Sequence, residues 1–179
     1  MKSAIHIHLS LEDARWRAVD AVATVARRAA LAALKRQASG LRAAELSLVL
    51  AGDRRLRSLN RAWRGIDKPT NVLAFPADDA VSDGAGGGPP RQLGDVILAY
   101  ETVIQEAQAQ GKPAAAHLSH LVVHGVLHLL GFDHQSAAEA VDMEAAEAAI
   151  LAGLGLPDPY RVLSARPAPR GLRATAPVV

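Results

Sequence analysis

The sequence predicts a single α+β domain, because strand-like segments come early in the chain and helical segments come late. Half of the 179 residues are hydrophobic but only 3% are aromatic, so small aliphatic side chains must form the core. A third observation is the presence of three closely spaced histidines, His124, His128 and His134, in a late apolar segment. We therefore predict a mixed sheet of about four strands packed against helices, with a metal site on a late helix and its following turn.

Four segments have the hydrophobic patterns that are typical of strands. Residues 3–10 alternate between apolar positions and His6 or His8. These two histidines could form a metal-binding pair, but we expect them to face solvent or a covering helix. The other three predicted strands are short, largely apolar segments, and they cover residues 45–51, 71–75 and 94–100.

Helical periodicity accounts for most of the remaining chain. Residues 11–38 are predicted to form one long alanine-rich helix, with Ser10 as its N-cap, Asp13 three residues later and Gly40 beyond its end. A short basic helix is predicted at about 53–63. Three further helices are predicted late in the chain, at about 101–110, 113–130 and 136–152.

Glycine, proline and serine mark the boundaries between these elements. Gly111 separates the first two late helices, and Ser136 caps the third. Residues 77–92 form a loop rich in glycine, aspartate and proline, which we expect to be mobile. Residues 163–179 lack periodicity and are predicted to be a disordered tail, which leaves a single domain over residues 1–162.

The three histidines lie in the segment HGVLHLLGFDH of residues 124–134. His124 and His128 are one helical turn apart, so both imidazoles project from one face of a helix. Gly131 can adopt the left-handed conformation that ends a helix, which would carry His134 back over that face. Three imidazoles leave a fourth position for water, as in catalytic zinc sites. We predict one zinc ion here, although imidazole also binds iron, cobalt, nickel and copper.

The histidine spacing is similar to that of the metzincin proteases, whose motif is H-E-x-x-H-x-x-G-x-x-H. This chain has Gly125 where those proteases have the glutamate that acts as general base. We therefore expect the metal geometry without the usual protease chemistry, since a peptidase would need another carboxylate.

A second motif, WRGIDKPTNVLAFP at residues 63–76, decides between the interpretations that remain. Together with the histidine motif it resembles the YbeY family of bacterial metal-dependent endoribonucleases. The resemblance implies a zincin-like fold, one zinc ion held by the three histidines, and cleavage of single-stranded RNA. It also implies a role in ribosome quality control and in maturation of the small-subunit ribosomal RNA 3′ end. Further similarity lies in LGDVIL at 93–98, in Met143 and Glu144, and in LGL and DPY at 154–156 and 158–160.

Arg64 is the candidate catalytic residue, because it stands where the family has its functional arginine. A guanidinium is a planar fork that matches two phosphate oxygens, so Arg64 could stabilise the charge that develops during phosphodiester cleavage. Without the resemblance, Arg64 would be interpreted as a surface arginine at a helix end.

The residues around the histidines leave several alternatives open. Asp133 could orient an imidazole or cap the turn, and His120 could support the site or relay a proton. His117 is expected to face solvent. Thr70 and Asn71 could contact phosphate or cap local backbone, and Met143 is expected to lie in the core.

The charge distribution favours RNA only weakly. Residues 1–68 hold 14 lysines and arginines against 6 acidic residues, whereas residues 69–160 hold 2 against 12. These charges could equally be solvated helix faces, and the sequence shows none of the aromatic interleaving that is typical of a stacking platform. The absence of cysteine excludes disulfides, thiolate ligands and cysteine nucleophiles.

The N-terminal segment has no signal pattern and no apolar run approaches 18 residues, so we expect a soluble, cytoplasmic protein with no membrane partner. The sequence thus predicts a zinc-dependent, single-strand-specific endoribonuclease that acts on ribosomal RNA and the small ribosomal subunit, with no DNA partner expected. Two alternatives are a zincin-like metallopeptidase and a non-catalytic ribosome-assembly factor with a structural metal.

Overall fold

The computed structural model describes residues 4–41, 43–77 and 89–161. Within these ranges no helix combines the length and the apolar character needed to cross a lipid bilayer. The elements in chain order are β1 (Ala4–Leu11), α1 (Val22–Gln37), β2 (Ala43–Ala51), α2 (Asp53–Arg64), β3 (Val72–Pro76), β4 (Arg91–Ala99), α3 (Tyr100–Ala109), α4 (Ala114–Leu129) and α5 (Ala137–Gly153), with a short 3₁₀ helix at Ala14–Ala18.

The four strands form one mixed sheet in the order β1-β2-β4-β3. Strands β1, β2 and β4 are parallel, and β3 pairs antiparallel with β4, so β3 is an edge strand. This arrangement confirms the predicted α+β class and the predicted sheet of four mixed strands. It also leaves one side of β3 free of strand neighbours in the described part of the chain.

Side chains of the strands point alternately to the two faces of the sheet, and they contribute to one hydrophobic cluster on each face. The main core contains Leu46, Leu48 and Leu50 of β2 together with residues of α1, α4 and α5. The second cluster lies on the opposite face and is covered by α2. Its buried members are Ala51, Leu56, Leu73, Ile97 and Ala99, with Val49, Leu59 and Phe75 partly buried against them.

Helices α2 and α3 begin side by side, and each supplies a cap for the other. The Glu101 carboxylate accepts a hydrogen bond from the Asp53 backbone N–H at 2.8 Å. The Asp53 carboxylate in turn accepts from the backbone N–H and the hydroxyl of Thr102, at 3.0 and 2.7 Å. These bonds satisfy N–H groups that have no partner within their own helices, and they hold the starts of α2 and α3 together.

The predicted long helix over residues 11–38 is confirmed over Val22–Gln37 and is wrong for the residues before it. Strand β1 continues to Leu11, and Asp13, not Ser10, is the N-cap of the 3₁₀ helix that follows. Trp16 is completely buried and its indole N–H donates to the Ala51 carbonyl at 2.8 Å, which holds this segment away from a helical path. Helix α1 starts only after Ala21, whose φ of 47° is left-handed.

The predicted loop over residues 77–92 extends too far at its C-terminal end. Arg91 and Gln92 already belong to β4, where they pair with Ala44 and Glu45 of β2. The rest of that prediction falls mostly on residues 78–88, which lie outside the described residues, as does the predicted tail at 163–179. The single domain over residues 1–162 stays a prediction.

Candidate metal centre and its cleft

The three histidines of the predicted metal site converge at the C-terminal end of α4. The Nε2 atoms of His124 and His128 are 3.1 Å apart. Beyond the helix, Gly131 has a φ of 92°, and the Phe132 N–H donates back to the Leu127 carbonyl at 3.0 Å, which is a helix-ending turn. The turn places the ring of His134 at 5.0 Å from that of His128 and 5.8 Å from that of His124, between ring centroids.

This arrangement fits a metal ion that prefers nitrogen ligands. One ring nitrogen from each histidine lies within 4.8 Å of the other two. Tetrahedral coordination with bonds of about 2.0–2.1 Å sets ligand nitrogens about 3.3 Å apart, and the His124–His128 pair has nearly that spacing. His134 is exposed and lies on a turn, so it can close the remaining distance. The three histidines can therefore hold one divalent metal ion.

The pKa of His128 is lowered, mainly by burial and further by the neighbouring His124 and His134. Two effects oppose this shift without reversing it: the hydrogen bond to the Phe132 backbone and the negative charge of Asp133. A lowered pKa favours the neutral imidazole, which is the form that binds metals.

Glu147 of α5 supports the histidines of α4 through its carboxylate. Its side chain is fully buried, and its carboxylate lies 2.6 Å from His124 Nδ1 and 2.9 Å from His120 Nε2. Tyr160 donates its hydroxyl hydrogen to the same carboxylate. Burial alone would raise the pKa of Glu147, but the hydrogen bonds from His120, His124 and Tyr160 outweigh it and lower the pKa to about 2.

The ionised carboxylate determines which nitrogen of His124 is available. Since a carboxylate only accepts hydrogen bonds, Nδ1 of His124 carries the proton and Nε2 of the neutral ring carries the lone pair. That lone pair faces His128, on the side where the three histidines meet. A carboxylate, a histidine and a metal position in this order form an arrangement that orients the ligand and increases its basicity.

Sequence reasoning did not find Glu147, although the sequence carries a signal for it. Met143, Glu147, Ile150 and Leu151 repeat at the spacing of one helical face, and all four are buried. A glutamate on such a stripe needs a partner, which the histidines of α4 supply. The expectation that Met143 belongs to the core is confirmed, since it is 2% exposed.

The predictions for the other histidines of α4 can now be compared with the structure. His120 supports the site, because it shares the Glu147 carboxylate with His124 and Tyr160. The expectation for His117 was wrong: it is 4% exposed, because α3 packs against this part of α4, and its Nε2 lies 2.7 Å from a Glu106 carboxylate oxygen.

Asp133 accepts a hydrogen bond from the backbone N–H of His134 at 2.8 Å, so it caps the turn. Ser136 caps α5 as predicted, in a reciprocal capping box with Glu139. His6 and His8 are exposed on β1, as expected.

Gly125 explains why this site departs from the metzincin motif. It is buried where α4 crosses β4, and a Cβ atom at this position would lie 2.5 Å from Cγ1 of Val96. Any side chain here, and a glutamate above all, would require the helix and the strand to separate. The close packing that brings the histidines onto the sheet therefore excludes the protease base.

A cleft of about 680 Å³ opens in front of the histidines, along the edge strand β3. Its walls are α4 with the turn at 131–135 on one side and β3 with Arg64 on the other. Arg64 is exposed in the last turn of α2, just before Gly65 ends the helix with a φ of 70°. In the described ranges the Arg64 side chain makes no hydrogen bond or ion pair, so it is free to bind a ligand in the cleft.

The segment between Arg64 and β3 is held in place by hydrogen bonds of two asparagines. Asn60 is 3% exposed and donates its amide to the Lys68 carbonyl at 2.8 Å. Asn71 accepts from the Val72 N–H at 2.7 Å and donates to the Glu106 carboxylate, so it caps local backbone. Thr70 lines the cleft beside it.

Comparisons with known proteins agree with this architecture. The profile of the family described as Endoribonuclease YbeY matches residues 10–155. A protein of that name from Rhodopseudomonas palustris (strain BisB5) is 51% identical over 150 residues, which cover 81% of this chain and 76% of the relative. Another of the same name, from Azorhizobium caulinodans, is 53% identical over 159 residues, which cover 87% of this chain and 96% of the relative.

A solved structure has the same fold. The solution structure of TM1509 from Thermotoga maritima matches with a TM-score of 0.52 and 18% sequence identity, covering 87% of this chain and 99% of that one.

Proposed function

This chain belongs to the YbeY endoribonuclease family, and on that premise we propose that it is a zinc-dependent, single-strand-specific endoribonuclease that processes ribosomal RNA. One observation carries the proposal: three convergent imidazoles face the same open cleft as Arg64, which has no polar partner among the described residues. An imidazole cluster suits a metal ion that acts on a phosphodiester, and the arginine suits the phosphate itself.

The chain's own residues have separate roles in this proposal. His124, His128 and His134 hold the zinc ion, one per chain, and Glu147 keeps His124 in the tautomer whose Nε2 can bind it. When bound, zinc would supply a Lewis acid that activates water and polarises a phosphoryl oxygen. Arg64 binds the phosphate through two N–H groups and stabilises the negative charge that develops on its oxygens during cleavage.

A nuclease is favoured over a peptidase because the described part of the cleft offers no free carboxylate that could act as the general base of a protease. Among the described residues Asp133 is the one carboxylate that lines the cleft, and it is engaged with the backbone of His134. Position 125 has no room for the glutamate that the metzincin proteases use as base. Phosphodiester chemistry in this cleft depends instead on a cation that faces the substrate, which Arg64 provides.

We extend the proposal to the setting of the reaction. The substrate is single-stranded RNA at the 3′ end of the small-subunit ribosomal RNA, the partner is the small ribosomal subunit, and the location is the cytoplasm. The family assignment supports these points, and the position of Arg64 in the cleft is consistent with a polyanionic substrate.

The proposal is tested by cleavage of a single-stranded RNA that carries a small-subunit 3′ precursor end. His128→Ala should lower the rate about a thousandfold or more, since metal catalysis contributes several kcal/mol to transition-state stabilisation. A chelator should stop the wild type, added zinc should restore it, and metal analysis should find one zinc ion per chain.

His6→Ala is the matched control, because it removes an exposed histidine from β1, far along the sheet from β3. It should cleave like the wild type. Equal cleavage by the wild type and His128→Ala would show a contaminating ribonuclease. Binding of the RNA without cleavage by either protein would favour an assembly factor with a structural metal, and chelator-sensitive cleavage of a peptide would favour a peptidase.

A further inference from the structure

We propose that Trp63 and Phe75 form a stacking platform for a nucleobase of the single-stranded substrate, at the edge of the cleft beside Arg64. This inference rests on the proposed function and adds the subsite that recognises single strands. The two residues are twelve positions apart in the sequence, on different elements. Only the fold brings them together, which is why the sequence shows no aromatic interleaving.

Trp63 occupies an unusual place on α2. Leu56, Asn60 and Trp63 follow one another at helical spacing on the face that packs against the sheet, and the first two are buried. Trp63 continues this stripe, yet it is 73% exposed. The helix has reached the edge of the sheet at this point, so the indole extends beyond the second hydrophobic cluster.

Phe75 is the aromatic neighbour of that indole. The ring centroids of Trp63 and Phe75 are 5.8 Å apart and their planes are inclined by 59°. Phe75 is itself partly buried against the second cluster and lines the cleft. One ring is therefore anchored in the fold, while the other presents most of its surface to solvent next to the cleft.

The residues around Trp63 and Phe75 offer one group for each part of a nucleotide, its phosphate and its base. Arg64 directly follows Trp63 and lines the same cleft as Phe75, so a cation for the phosphate and an aromatic surface for the base are adjacent. Arg61, one turn earlier, is also exposed and adds positive charge to the last turn of α2. An aromatic surface beside cationic side chains is the combination that binds single-stranded nucleic acid without sequence preference.

Stacking on Trp63 would also explain the preference for single strands. A base in a duplex is covered on both faces by its neighbours, so it reaches an external ring only after unpairing and unstacking. A base in a single strand can be splayed onto the indole at little cost. The platform would therefore bind single-stranded RNA better than duplex RNA of the same charge.

Intrinsic fluorescence tests this directly, since the chain contains only two tryptophans. Trp16 is completely buried, whereas Trp63 is exposed. In the zinc-loaded full-length protein, a short oligouridylate should quench the Trp63 emission in a saturable manner, and an abasic ribose-phosphate chain of equal length should not. In Trp63→Phe, which keeps a stacking ring but reports only Trp16, the quenching should disappear while affinity changes by no more than a few fold.

Trp63→Ala supplies the second readout. It should weaken binding of the oligouridylate about five- to a hundredfold, as the loss of one stacked base predicts. The KM for RNA cleavage should rise by a similar factor with kcat nearly unchanged, because stacking acts equally on bound substrate and transition state. Trp63→Phe should recover most of the wild-type KM.

The outcomes separate this inference from the function it rests on. If the wild type cleaves RNA and Trp63→Ala has an unchanged KM, or if quenching persists in Trp63→Phe, the stacking platform is refuted and the ribonuclease stands. If the wild type neither binds nor cleaves single-stranded RNA, the proposed function itself fails.

Discussion

The two walls of the cleft are built on opposite principles. On the α4 side, His124 is held by the fully buried carboxylate of Glu147, which also engages His120 and Tyr160. On the α2 side, Arg64 is exposed and makes no polar contact with the rest of the described chain. One wall is fixed by a buried hydrogen-bond network, and the other presents a free cation.

This difference follows from what each wall has to bind. A metal site needs its ligands oriented before the ion arrives, and a buried charge is stable only when it is fully hydrogen-bonded. A phosphate-binding arginine must remain available to an incoming substrate, so partners within the protein would compete with it. Changes that disturb the metal ligands of the α4 wall should thus affect metal affinity and stability as well as the rate, whereas loss of Arg64 from the α2 wall should affect catalysis without changing either metal affinity or stability.

The largest effect that would sharpen this contrast is expected from Arg64→Ala. It should lower kcat/KM about a hundredfold or more, because it removes a donor aimed at developing charge, while the midpoint of thermal unfolding stays unchanged. Arg64→Lys should recover little, since an ammonium lacks the planar fork. Arg54→Ala removes the same charge from the exposed first turn of α2 and should cleave almost normally. Equal loss in both variants would reduce Arg64 to a contribution from net charge.

Glu147→Gln probes the opposite wall. Loss of the charge that orients His124 should weaken zinc binding about ten- to a hundredfold, measured by competition with a chromogenic chelator. Glu144→Gln makes the same charge change on the exposed side of α5 and should leave zinc affinity near the wild-type value. If Glu147→Gln bound zinc as tightly as the wild type, the carboxylate would have only a structural role.

A smaller effect concerns the packing under the metal site. In Gly125→Ala the new methyl group would lie 2.5 Å from Cγ1 of Val96, and such overpacking costs about 1–3 kcal/mol. The helical preference of alanine offsets about 1 kcal/mol, so the free energy of unfolding should fall by about 1 kcal/mol in a urea titration. Gly153→Ala, in α5 with open space around its Cβ position, should instead be neutral or stabilising. A stabilised Gly125→Ala would show that α4 can move away from β4.

The smallest effect is a dependence of stability on pH through His117. Burial lowers its pKa despite the hydrogen bond to Glu106 of α3, while His120 and Lys112 lower it further. As the pH drops below about 6.5, the unfolded chain therefore binds a proton at His117 before the folded protein does, which stabilises the unfolded state. The contribution of neutral His117 to the free energy of unfolding is thus complete above about pH 6.5 and is lost as the pH falls through the lower pKa of the folded state.

His117→Gln should flatten the slope of unfolding free energy against pH in this range, by at most about 1.4 kcal/mol per pH unit. Urea titrations of the two zinc-loaded proteins at several pH values measure the difference. Identical slopes would mean that His117 binds a proton equally well in the folded state.

Much of the metal site was predictable because it is local in sequence. The spacing of His124 and His128 on one helical face, and the reversal at Gly131, depend on backbone geometry within eleven residues. The strands of the sheet were predictable for a similar reason, since the apolar pattern of each one lies within a few consecutive residues. The segment after β1 was not, because the burial of Trp16 beneath the end of β2 overrides the helical preference of its neighbours.

What the sequence alone determined, then, is the set of local patterns: four strands, the late helices, and three histidines at ligand spacing. Only the tertiary structure decided which distant residues support them. Glu147 reaches His124 because α5 packs back on α4, and Trp63 meets Phe75 because α2 ends at the edge strand. Periodicity reports which face of an element is apolar, but partners across elements are chosen by how those faces pack, and that depends on the whole core.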